Sequence, residues 1–255
     1  MPKFITVTNQ KGGVGKTTLA VHIAAYAAGV GKKTLLVDLD MQRNSTFITT
    51  GKGSHDGFCV TSLWDETANL EFAGTRFGEL RLLPGHEKVS AVEKAGMTQG
   101  TQALRRLCDT DFDVVVFDTP PAAGVQQTAP LYLGGVLVAP LEPDLLAMQG
   151  LTSLLRLWKA VSSGLPAPLN LDLALVINKR VLNSTNQQSV VDVIRNSGFG
   201  EKVLGEELTQ RQMVSNALKQ GLPVWVADKK DPASANWAMV CKRILEKAEG
   251  NYGQA

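Results

Sequence analysis

The stretch Lys11-Gly12-Gly13-Val14-Gly15-Lys16-Thr17-Thr18 decides the fold class of this 255-residue chain. It lies between a short apolar run, Phe4–Thr8, and a helix-length segment, Thr18–Ala28. The glycines allow backbone N–H groups to turn inward around an anion, and the N-terminus of the following helix adds partial positive charge. A glycine-rich loop between a strand and a helix is the context that a phosphate-binding P-loop requires. We therefore predict a nucleotide site at this loop.

The residues at the two ends of the loop indicate how a nucleotide is held. Lys16 would place its charge on the β- and γ-phosphates, and the Thr17 hydroxyl would bind Mg²⁺. Thr18 is predicted to reach an α-phosphate oxygen. The loop departs from the pattern GxxxxGK[ST], because Gln10 stands where that pattern has its first glycine. A second lysine, Lys11, stands instead at the loop entrance.

Two further segments place carboxylates just beyond predicted strands. Residues 35–40, LLVDLD, contain Asp38 and Asp40, and residues 114–121, VVVFDTPP, contain Asp118. In open α/β sheets, ligands bind at the carboxyl ends of the strands. A carboxylate in a phosphate site at that edge would hold Mg²⁺, directly or through water.

Short apolar runs alternate with helix-length segments along the chain, which is the pattern of βα units in a parallel sheet. The predicted strands are Phe4–Thr8, Thr34–Val37, Leu80–Leu83, Val114–Phe117, Val136–Ala139 and Leu173–Ile177, with Val203–Leu204 as a weaker candidate. The predicted helices are Thr18–Ala28, Val89–Lys94, Thr101–Cys108, Leu145–Ser162, Gln187–Asn196, Arg211–Gln220 and Ser234–Glu249. The predicted fold class is α/β, a single doubly wound domain over residues 1–255 with a mostly parallel sheet flanked by helices. Gly51–Gly57 is predicted to be a surface loop.

Composition excludes several classes of protein. Hydrophobic residues make up 44% and charged residues 20% of the chain, as in ordinary globular proteins. Cys59, Cys108 and Cys241 are far apart and include no CxxC pair, which argues against a disulfide framework and a cysteine metal site. No apolar run approaches the roughly 20 residues that span a bilayer, and no cleavable leader is expected, because Met1-Pro2-Lys3 runs directly into an apolar strand pattern. We therefore expect a cytoplasmic protein. The net charge is +2, with the basic excess from Asn178 onward, which weakly favours an anionic partner.

These motifs together resemble the ParA/MinD family of deviant-Walker P-loop ATPases, and within it the short ParA-type partition ATPases. The resemblance extends over essentially the whole chain. It includes a Val138-Ala139-Pro140 turn, Asn178 in the segment Ala174–Lys179, and Arg211 followed by residues 221–224, GLPV. The resemblance implies a Mg-dependent ATPase that hydrolyses ATP to ADP and phosphate slowly, under stimulation by a partner. It also implies that the chain forms a homodimer with ATP.

The resemblance assigns roles to individual residues. Lys11 matches the signature lysine, which in such proteins reaches across a nucleotide-sandwich dimer to the phosphates of the other subunit. Asp40 matches the catalytic carboxylate that positions the attacking water, so Lys11, Lys16 and Asp40 are the expected catalytic residues. Asp118 matches the Walker B aspartate. Asp38 is expected to support the Mg²⁺ shell, partly through water, together with Asp118 and Thr17.

Other matches and departures concern the base and the switch segments. Asn178 matches the residue that reads the adenine edge, and Pro120-Pro121 belongs to a nucleotide-sensing switch. Family members usually continue DxDPQGN after the second strand, whereas this chain has Asp40-Met41-Gln42-Arg43-Asn44. We expect this departure to affect the hydrolysis rate more than nucleotide binding. The chain has no N-terminal helix-turn-helix extension before its first strand, so operator-specific repression is not expected.

The function implied by the resemblance is an ATP-gated switch that binds DNA non-specifically on the nucleoid. Such proteins partition or position a plasmid, a chromosome or another cargo with a ParB-like adaptor, and they contact DNA through scattered C-terminal Lys and Arg residues. The candidates in this chain are Arg211, Lys179, Arg180, Lys219, Lys229, Lys230, Lys242, Arg243 and Lys247. Contacts of this kind carry no sequence information and weaken steeply with salt.

A MinD-like membrane-associated positioning ATPase is the alternative function. It would need a C-terminal amphipathic helix with strong apolar and basic faces. The tail Lys247–Ala255 is instead small, polar and interrupted by glycine, and the helix before it is predicted to pack on the core through Trp237, Val240 and Ile244. No stable membrane binding is therefore expected. A nitrogenase-iron-protein-like enzyme is disfavoured by the scattered cysteines, and a biotin-pathway synthetase is disfavoured by Lys11.

Overall fold

Seven strands form a single sheet in the computed structural model, which describes residues 1–53, 57–144 and 147–251. The strands are β1 Lys3–Val7, β2 Thr34–Asp38, β3 Ala73–Gly74, β4 Arg81–Leu83, β5 Val114–Asp118, β6 Gly135–Leu141 and β7 Leu171–Ile177. Their order across the sheet is β3-β4-β2-β5-β1-β6-β7. All pairings are parallel except the antiparallel pair of β3 and β4. The predicted mostly parallel sheet is confirmed.

Helices cover both faces of this sheet. The α-helices are α1 Lys16–Gly29, α2 Asn44–Thr50, α3 Gly96–Arg105, α4 Val125–Thr128, α5 Ala147–Gly164, α6 Thr185–Arg195, α7 Gln212–Lys219, α8 Val224–Ala227 and α9 Pro232–Glu249. Short 3-10 segments lie at Val60–Trp64, Glu87–Ala95, Arg106–Asp109, Ala129–Leu133 and Gly200–Lys202. Helices α1 and α7 to α9 pack on one face, and α3 to α6 pack on the other. The chain is a single doubly wound α/β domain, as predicted.

The central strands bring the polar site residues together. All five residues of β2 and of β5 are buried, because helices cover both faces of a parallel sheet. The register pairs Asp38 with Asp118 at the carboxyl ends of these neighbouring strands. Since β1 pairs with β5 on one side and β6 on the other, the loop that follows β1 emerges beside Asp118. The sheet therefore places the glycine loop and the carboxylates at one edge.

Several predicted elements differ from the structure. Val203–Leu204 is not a strand but contributes a single bridge between Val203 and Leu175. The prediction of a turn at residues 138–140 was wrong, because they lie inside β6 with Pro140 opposite Val176. Pairing with β1 has ended at Val138, so the missing N–H of the proline costs no ladder hydrogen bond there. The predicted helix Val89–Lys94 is part of a 3-10 segment.

Parts of three predictions fall outside the described residues. They concern residues 54–56 of the predicted loop, residues 145–146 of the predicted helix Leu145–Ser162, and residues 252–255 of the tail. Within the described part of the chain, no helix combines the length and apolar character needed to cross a membrane. The prediction that α9 packs on the core is confirmed, because its apolar face is buried. The residues of that face are Trp237, Val240, Cys241, Ile244 and Leu245.

A buried histidine joins α1 to the C-terminal helices. His22 Nδ1 lies 2.7 Å from the Thr18 carbonyl oxygen, and the Val224 N–H donates to Nε2 over 3.2 Å. The ring is therefore neutral, with its proton on Nδ1. The ring centroids of Trp225 and Trp237 lie 5.5 Å and 4.5 Å from the centroid of the His22 ring. Burial lowers the pKa of His22 to about 4.

We expect His22 to make stability depend on pH. Between about pH 7 and pH 4, the unfolded chain takes up a proton on this histidine and the folded chain does not, because the ordinary pKa is about 6.5. The free energy of unfolding should therefore fall as pH falls, by on the order of 3 kcal/mol at pH 4. His22→Asn keeps a donor for Thr18 but cannot titrate. Urea unfolding of both proteins across this range should show wild type losing stability relative to the variant. If the difference in free energy of unfolding between the two proteins did not change with pH, the His22 ring would not be neutral and buried in the folded chain.

Candidate nucleotide-binding site

The loop between β1 and α1 is open where an anion would lie. A β-carbon placed on Gly12 or Gly13 would meet no atom within 4 Å. Gly13 and Gly15 have φ angles of 75° and 96°, which residues with a β-carbon adopt only at a cost. Among the described residues, no acceptor takes a hydrogen bond from the N–H groups of these three glycines. Helix α1 also begins without a side-chain cap, so the loop has the features of an anion cradle.

Lys16 is aimed at this cradle. It is the first residue of α1 and is 7% exposed, and its Nζ donates to the Lys11 carbonyl oxygen over 3.0 Å. Burial lowers the pKa of Lys16, while the negative charges of Asp118 and Asp40 raise it. A phosphate in the cradle would stabilise the charged ammonium, because it adds negative charge within the low-dielectric surroundings. The position fits the predicted role of Lys16 on the phosphates.

Asp38 and Asp118 form a buried acidic pair that the N-terminal turn of α2 covers. Oδ2 of Asp38 accepts from the Thr46 N–H over 2.8 Å and from the Thr46 hydroxyl over 2.7 Å. The Ser45 hydroxyl donates to Oδ2 of Asp118. Burial raises the pKa of both carboxyl groups, and the charge of Asp38 raises that of Asp118 further. The nearby hydroxyls of Ser45 and Thr17 act in the opposite direction on Asp118.

These residues fit a magnesium ion. Oδ1 of Asp118 is buried and has no hydrogen-bond partner among the described residues. The Thr17 hydroxyl lowers the pKa of the Asp118 carboxyl group. Hydroxyl and carboxylate oxygens are the ligands that Mg²⁺ takes in phosphate sites, where it keeps several waters. Within the described residues, no group of three or more His, Cys, Asp or Glu side chains could hold a metal alone. The site therefore suits an ion that phosphates and water also ligate.

Asp40 lies beside this pair in a constrained turn. It is 7% exposed, its N–H donates to Oδ1 of Asp38 over 3.2 Å, and its Oδ1 accepts from the Gln42 N–H over 2.9 Å. The Arg43 N–H donates to the Asp40 carbonyl, and Arg43 has a φ of 57°. This left-handed conformation is costly for arginine, so the altered segment after Asp40 is held by its surroundings.

Two asparagines fasten the loop from outside. The Asn178 side chain is 4% exposed and donates to the Val14 carbonyl over 2.8 Å. A β-carbon on Gly15 would lie 2.4 Å from its Nδ2, so any other residue there would displace the Asn178 amide from the Val14 carbonyl. Asn9, which lies outside the predicted motifs, donates to the Pro140 carbonyl and accepts from the Lys11 N–H. An Asn two residues before the loop is the pattern of an Asx-turn, and it could have indicated this role.

Lys11 is held by carboxylates of its own chain. Its Nζ forms an ion pair with Asp144 and lies 4.0 Å from Glu142, both just beyond β6. Lys179 lies 3.7 Å from the same Glu142 and has a φ of 56°. The Lys11 side chain is 32% exposed, so it stands at the mouth of the site rather than inside it. Glu142 and Asp144 belong to no motif that marks the site in the sequence, and they lie more than a hundred residues from Lys11.

The structure divides the candidate DNA-binding cations into two groups. Arg180 is a poor candidate, because it is 2% exposed and bonds to Gln187, Gln188 and Glu207. Ion pairs also engage Lys179, Lys242, Arg243 and Lys247. The exposed candidates that form no ion pair with a described carboxylate are Arg211, Lys219, Lys229 and Lys230. Only this second group offers unneutralised charge to an anionic partner.

Comparison with known proteins shows the family. Residues 2–173 match the family described as an AAA domain. The chromosome-partitioning ATPase Soj of Treponema pallidum is 29% identical over 261 residues, covering 97% of this chain and 98% of that protein. The Soj protein of Thermus thermophilus is 30% identical over 248 residues, covering 96% of each. The solved structure of the septum site-determining protein MinD from Pyrococcus horikoshii, complexed with Mg-ADP, matches with a TM-score of 0.76 and 18% identity, covering 99% of this chain and 100% of that one.

The matches agree with the geometry of the loop and the acidic pair. The family match spans well over half of the chain, and the two Soj proteins align over nearly its full length. The fold of MinD is shared over 99% of the chain. The chain belongs to the ParA/Soj/MinD family of P-loop ATPases.

Proposed function

We propose that this protein is an ATP-dependent dimerisation switch that binds duplex DNA non-specifically and positions a chromosome, plasmid or other cargo. The observation that carries the proposal is the open glycine cradle with one lysine inside it, Lys16, and a second at its mouth, Lys11. Lys11 stands outside its own cradle, so its ammonium would reach a second copy of the site by exchanging Asp144 for the phosphates there. The names of the two Soj relatives support chromosome partitioning as the process.

Nucleotide binding in this proposal uses residues that already converge. Lys16 and the loop N–H groups would hold the phosphates of ATP, and Thr17, Asp118 and Asp38 would hold Mg²⁺, partly through water. The bound Mg-ATP supplies the phosphoanhydride whose cleavage resets the switch. Asn178 would read the adenine edge. Its bond to the Val14 carbonyl ties the loop to the end of β7, so base and phosphate recognition share one support.

Hydrolysis in this proposal depends on Asp40. Its carboxylate is nearly buried beside the acidic pair, where it can accept a hydrogen bond from a water that attacks the γ-phosphate. The constrained turn through Arg43 makes its position sensitive to small shifts of the segment. Slow hydrolysis that a partner accelerates follows if the partner improves this positioning. A ParB-like adaptor with a short basic segment is the proposed partner.

DNA binding in this proposal uses exposed cations near the C-terminus, in the cytoplasm on the nucleoid. Arg211, Lys219, Lys229 and Lys230 are exposed in the structure. Each protomer offers only a few phosphate contacts, which gives weak binding at physiological salt. A dimer doubles the number of contacts and so converts weak contacts into stable ones. ATP would thereby gate DNA binding through dimerisation.

The experiment that tests the function uses Asp40→Ala with Mg-ATP. We expect this variant to bind ATP, to dimerise and to remain on DNA, because it lacks the group that positions water for hydrolysis. Co-sedimentation with random-sequence duplex DNA and with anionic liposomes measures the two surfaces side by side. Wild type with ADP should bind neither. Asp65→Ala, which removes an exposed carboxylate that accepts from Thr67 and from no residue of the site, should behave as wild type.

The same experiment also tests the alternative of a membrane-associated ATPase. Binding to liposomes alone would overturn the DNA proposal and support a MinD-like function. The structure favours DNA, because the apolar face of α9 is already buried in the core and is not available to a bilayer. Binding to neither surface would also overturn the proposal.

A further inference from the structure

Three segments of the chain converge on the guanidinium of Arg76. This residue lies between β3 and β4, and its Nη2 donates to the Ile48 carbonyl over 2.7 Å. A β-carbon on Gly51, at the end of α2, would lie 3.6 Å from its Cζ. A β-carbon on Gly221, in the turn between α7 and α8, would lie 2.8 Å from its Nε and 3.0 Å from its Cζ. Three segments that are far apart in the sequence thus meet at the exposed side chain of Arg76.

Each of these segments contributes a lysine or arginine to the same place. Lys52 follows Gly51 directly, and Lys219 precedes Gly221 by two residues. Their backbones therefore lie within about 8 Å of the two glycines that contact Arg76. All three side chains are exposed. Among residues 1–53, 57–144 and 147–251, no carboxylate forms an ion pair with any of them. We call Lys52, Arg76 and Lys219 the Arg76 surface.

Arg76 also has a structural role. Its N–H donates to the Thr49 carbonyl over 2.8 Å, and with the bond to Ile48 it satisfies the last carbonyl groups of α2. Its charge also interacts favourably with the C-terminal end of the helix. This bond uses only one of the several N–H donors of a guanidinium. The remaining donors on an exposed side chain are available to phosphate oxygens.

We propose that the Arg76 surface is part of the interface with duplex DNA and binds its phosphates. This inference rests on the proposed DNA-binding function, and it adds two residues outside the C-terminal region, Lys52 and Arg76, to the candidates. Neighbouring cations that have no carboxylate partners create a positive local potential, which attracts a polyanion such as DNA. Phosphates follow one another along each DNA strand closely enough for neighbouring cations to bind neighbouring phosphates.

Helix α2 connects this surface to the nucleotide site. At its N-terminal turn, Ser45 and Thr46 donate to Asp118 and Asp38, and its C-terminal carbonyl groups accept from Arg76. The helix has only seven residues, so it is about 10 Å long. Mg²⁺ held at Oδ1 of Asp118 would draw on the same carboxylate whose Oδ2 accepts from the Ser45 hydroxyl, so its binding would be felt at the first turn of α2. A shift of α2 would then move Arg76 relative to Lys219, so the surface is placed to respond to the nucleotide.

The test is the salt dependence of DNA binding by the full-length chain with Mg and a non-hydrolysable ATP analogue. Arg76→Gln keeps a donor for Ile48 but removes the charge. Loss of one phosphate contact in each protomer should reduce the slope of log K against log salt by about 1.8 for a dimer. Affinity near 0.1 M salt should fall between about tenfold and a hundredfold. Lys52→Gln and Lys219→Gln should act in the same direction, measured by fluorescence anisotropy with random-sequence duplex.

Matched controls separate charge from structure. Arg76→Lys should keep the wild-type slope, because it keeps the charge. Arg156→Gln removes an exposed cation on α5, on the other face of the sheet, and should leave both slope and affinity unchanged. Arg76→Gln should bind nucleotide with wild-type affinity, and its thermal midpoint should fall by no more than about 4 °C, because only the charge at the end of α2 is lost; this would show that α2 and the fold are intact.

The outcomes distinguish this inference from the proposed function. If wild type binds DNA and Arg76→Gln keeps the wild-type slope and affinity, the Arg76 surface is not an interface, while the function stands. If wild type binds no DNA with any nucleotide, the proposed function fails and this surface fails with it. If the Arg76 dependence appears on anionic vesicles and not on DNA, the surface binds lipid and the inference is overturned.

Discussion

Replacing Lys16 with alanine should abolish measurable ATP binding. Lys16 is the one lysine that lies inside the glycine loop in the described structure, and its Nζ is held at the Lys11 carbonyl, where the phosphates would lie. Charge-assisted hydrogen bonds contribute about 1.5–3 kcal/mol each. Loss of the ammonium should therefore weaken binding by roughly a hundredfold or more. Titration with a fluorescent ATP analogue in the presence of Mg²⁺ measures the change.

The stability of Lys16→Ala without nucleotide should not fall, although its ATP binding does. This distinguishes loss of the binding site from loss of the fold. Burial lowers the pKa of Lys16, so the charged group is held in the nucleotide-free fold at a cost. Lys16→Ala removes that cost, and its thermal midpoint without nucleotide should equal or exceed that of wild type. Lys33→Ala, at the opposite end of the sheet on an exposed side chain, should bind ATP normally. A folded Lys16→Ala protein that binds ATP within a few-fold of wild type would contradict the site.

The elements that sequence predicted well are those whose pattern is local. The apolar run of β5 and the loop before α1 each carry their signal within a few residues, since a strand buried on both faces must be apolar throughout. Helix α2 was missed, because its sequence NSTFITT is rich in β-branched residues and has no capping side chain. Hydrogen bonds from Ser45 and Thr46 to the acidic pair hold its first turn instead. Contacts of that kind depend on the whole fold.

The same distinction applies to the site. The positions of Lys16, Asp38 and Asp118 at one edge follow from strand order, which the βα pattern already favours. The partners of Lys11 could not be predicted, because Asp144 and Glu142 come from the far end of β6 and their contacts depend on side-chain direction. The burial of Arg180 was equally hidden, since its network is built from Gln187, Gln188 and Glu207 after β7. Counting C-terminal charges therefore overestimated the exposed basic surface.

Replacing Lys11 with alanine should leave ATP binding intact but prevent ATP-dependent dimerisation. In the described structure, the Lys11 ammonium is paired with Asp144 of its own chain and stands at the mouth of the site. It contributes no side-chain contact to the cradle in this arrangement, so its loss should change ATP affinity by no more than a few-fold. Analytical ultracentrifugation with and without Mg-ATP, beside the ATP titration, measures the two effects separately.

The size of the effect of Lys11→Ala on dimerisation follows from the symmetry of the dimer. A two-fold dimer contains each contact twice, so one substitution removes two charge-assisted contacts of about 1.5–3 kcal/mol each. The dimer should therefore weaken by more than a hundredfold. Lys179→Ala is the matched control, because Lys179 is a cation at the same mouth that shares Glu142 with Lys11. If Lys11→Ala dimerised as tightly as wild type, the lysine would have no role across the interface, and its ion pair with Asp144 would be its whole function.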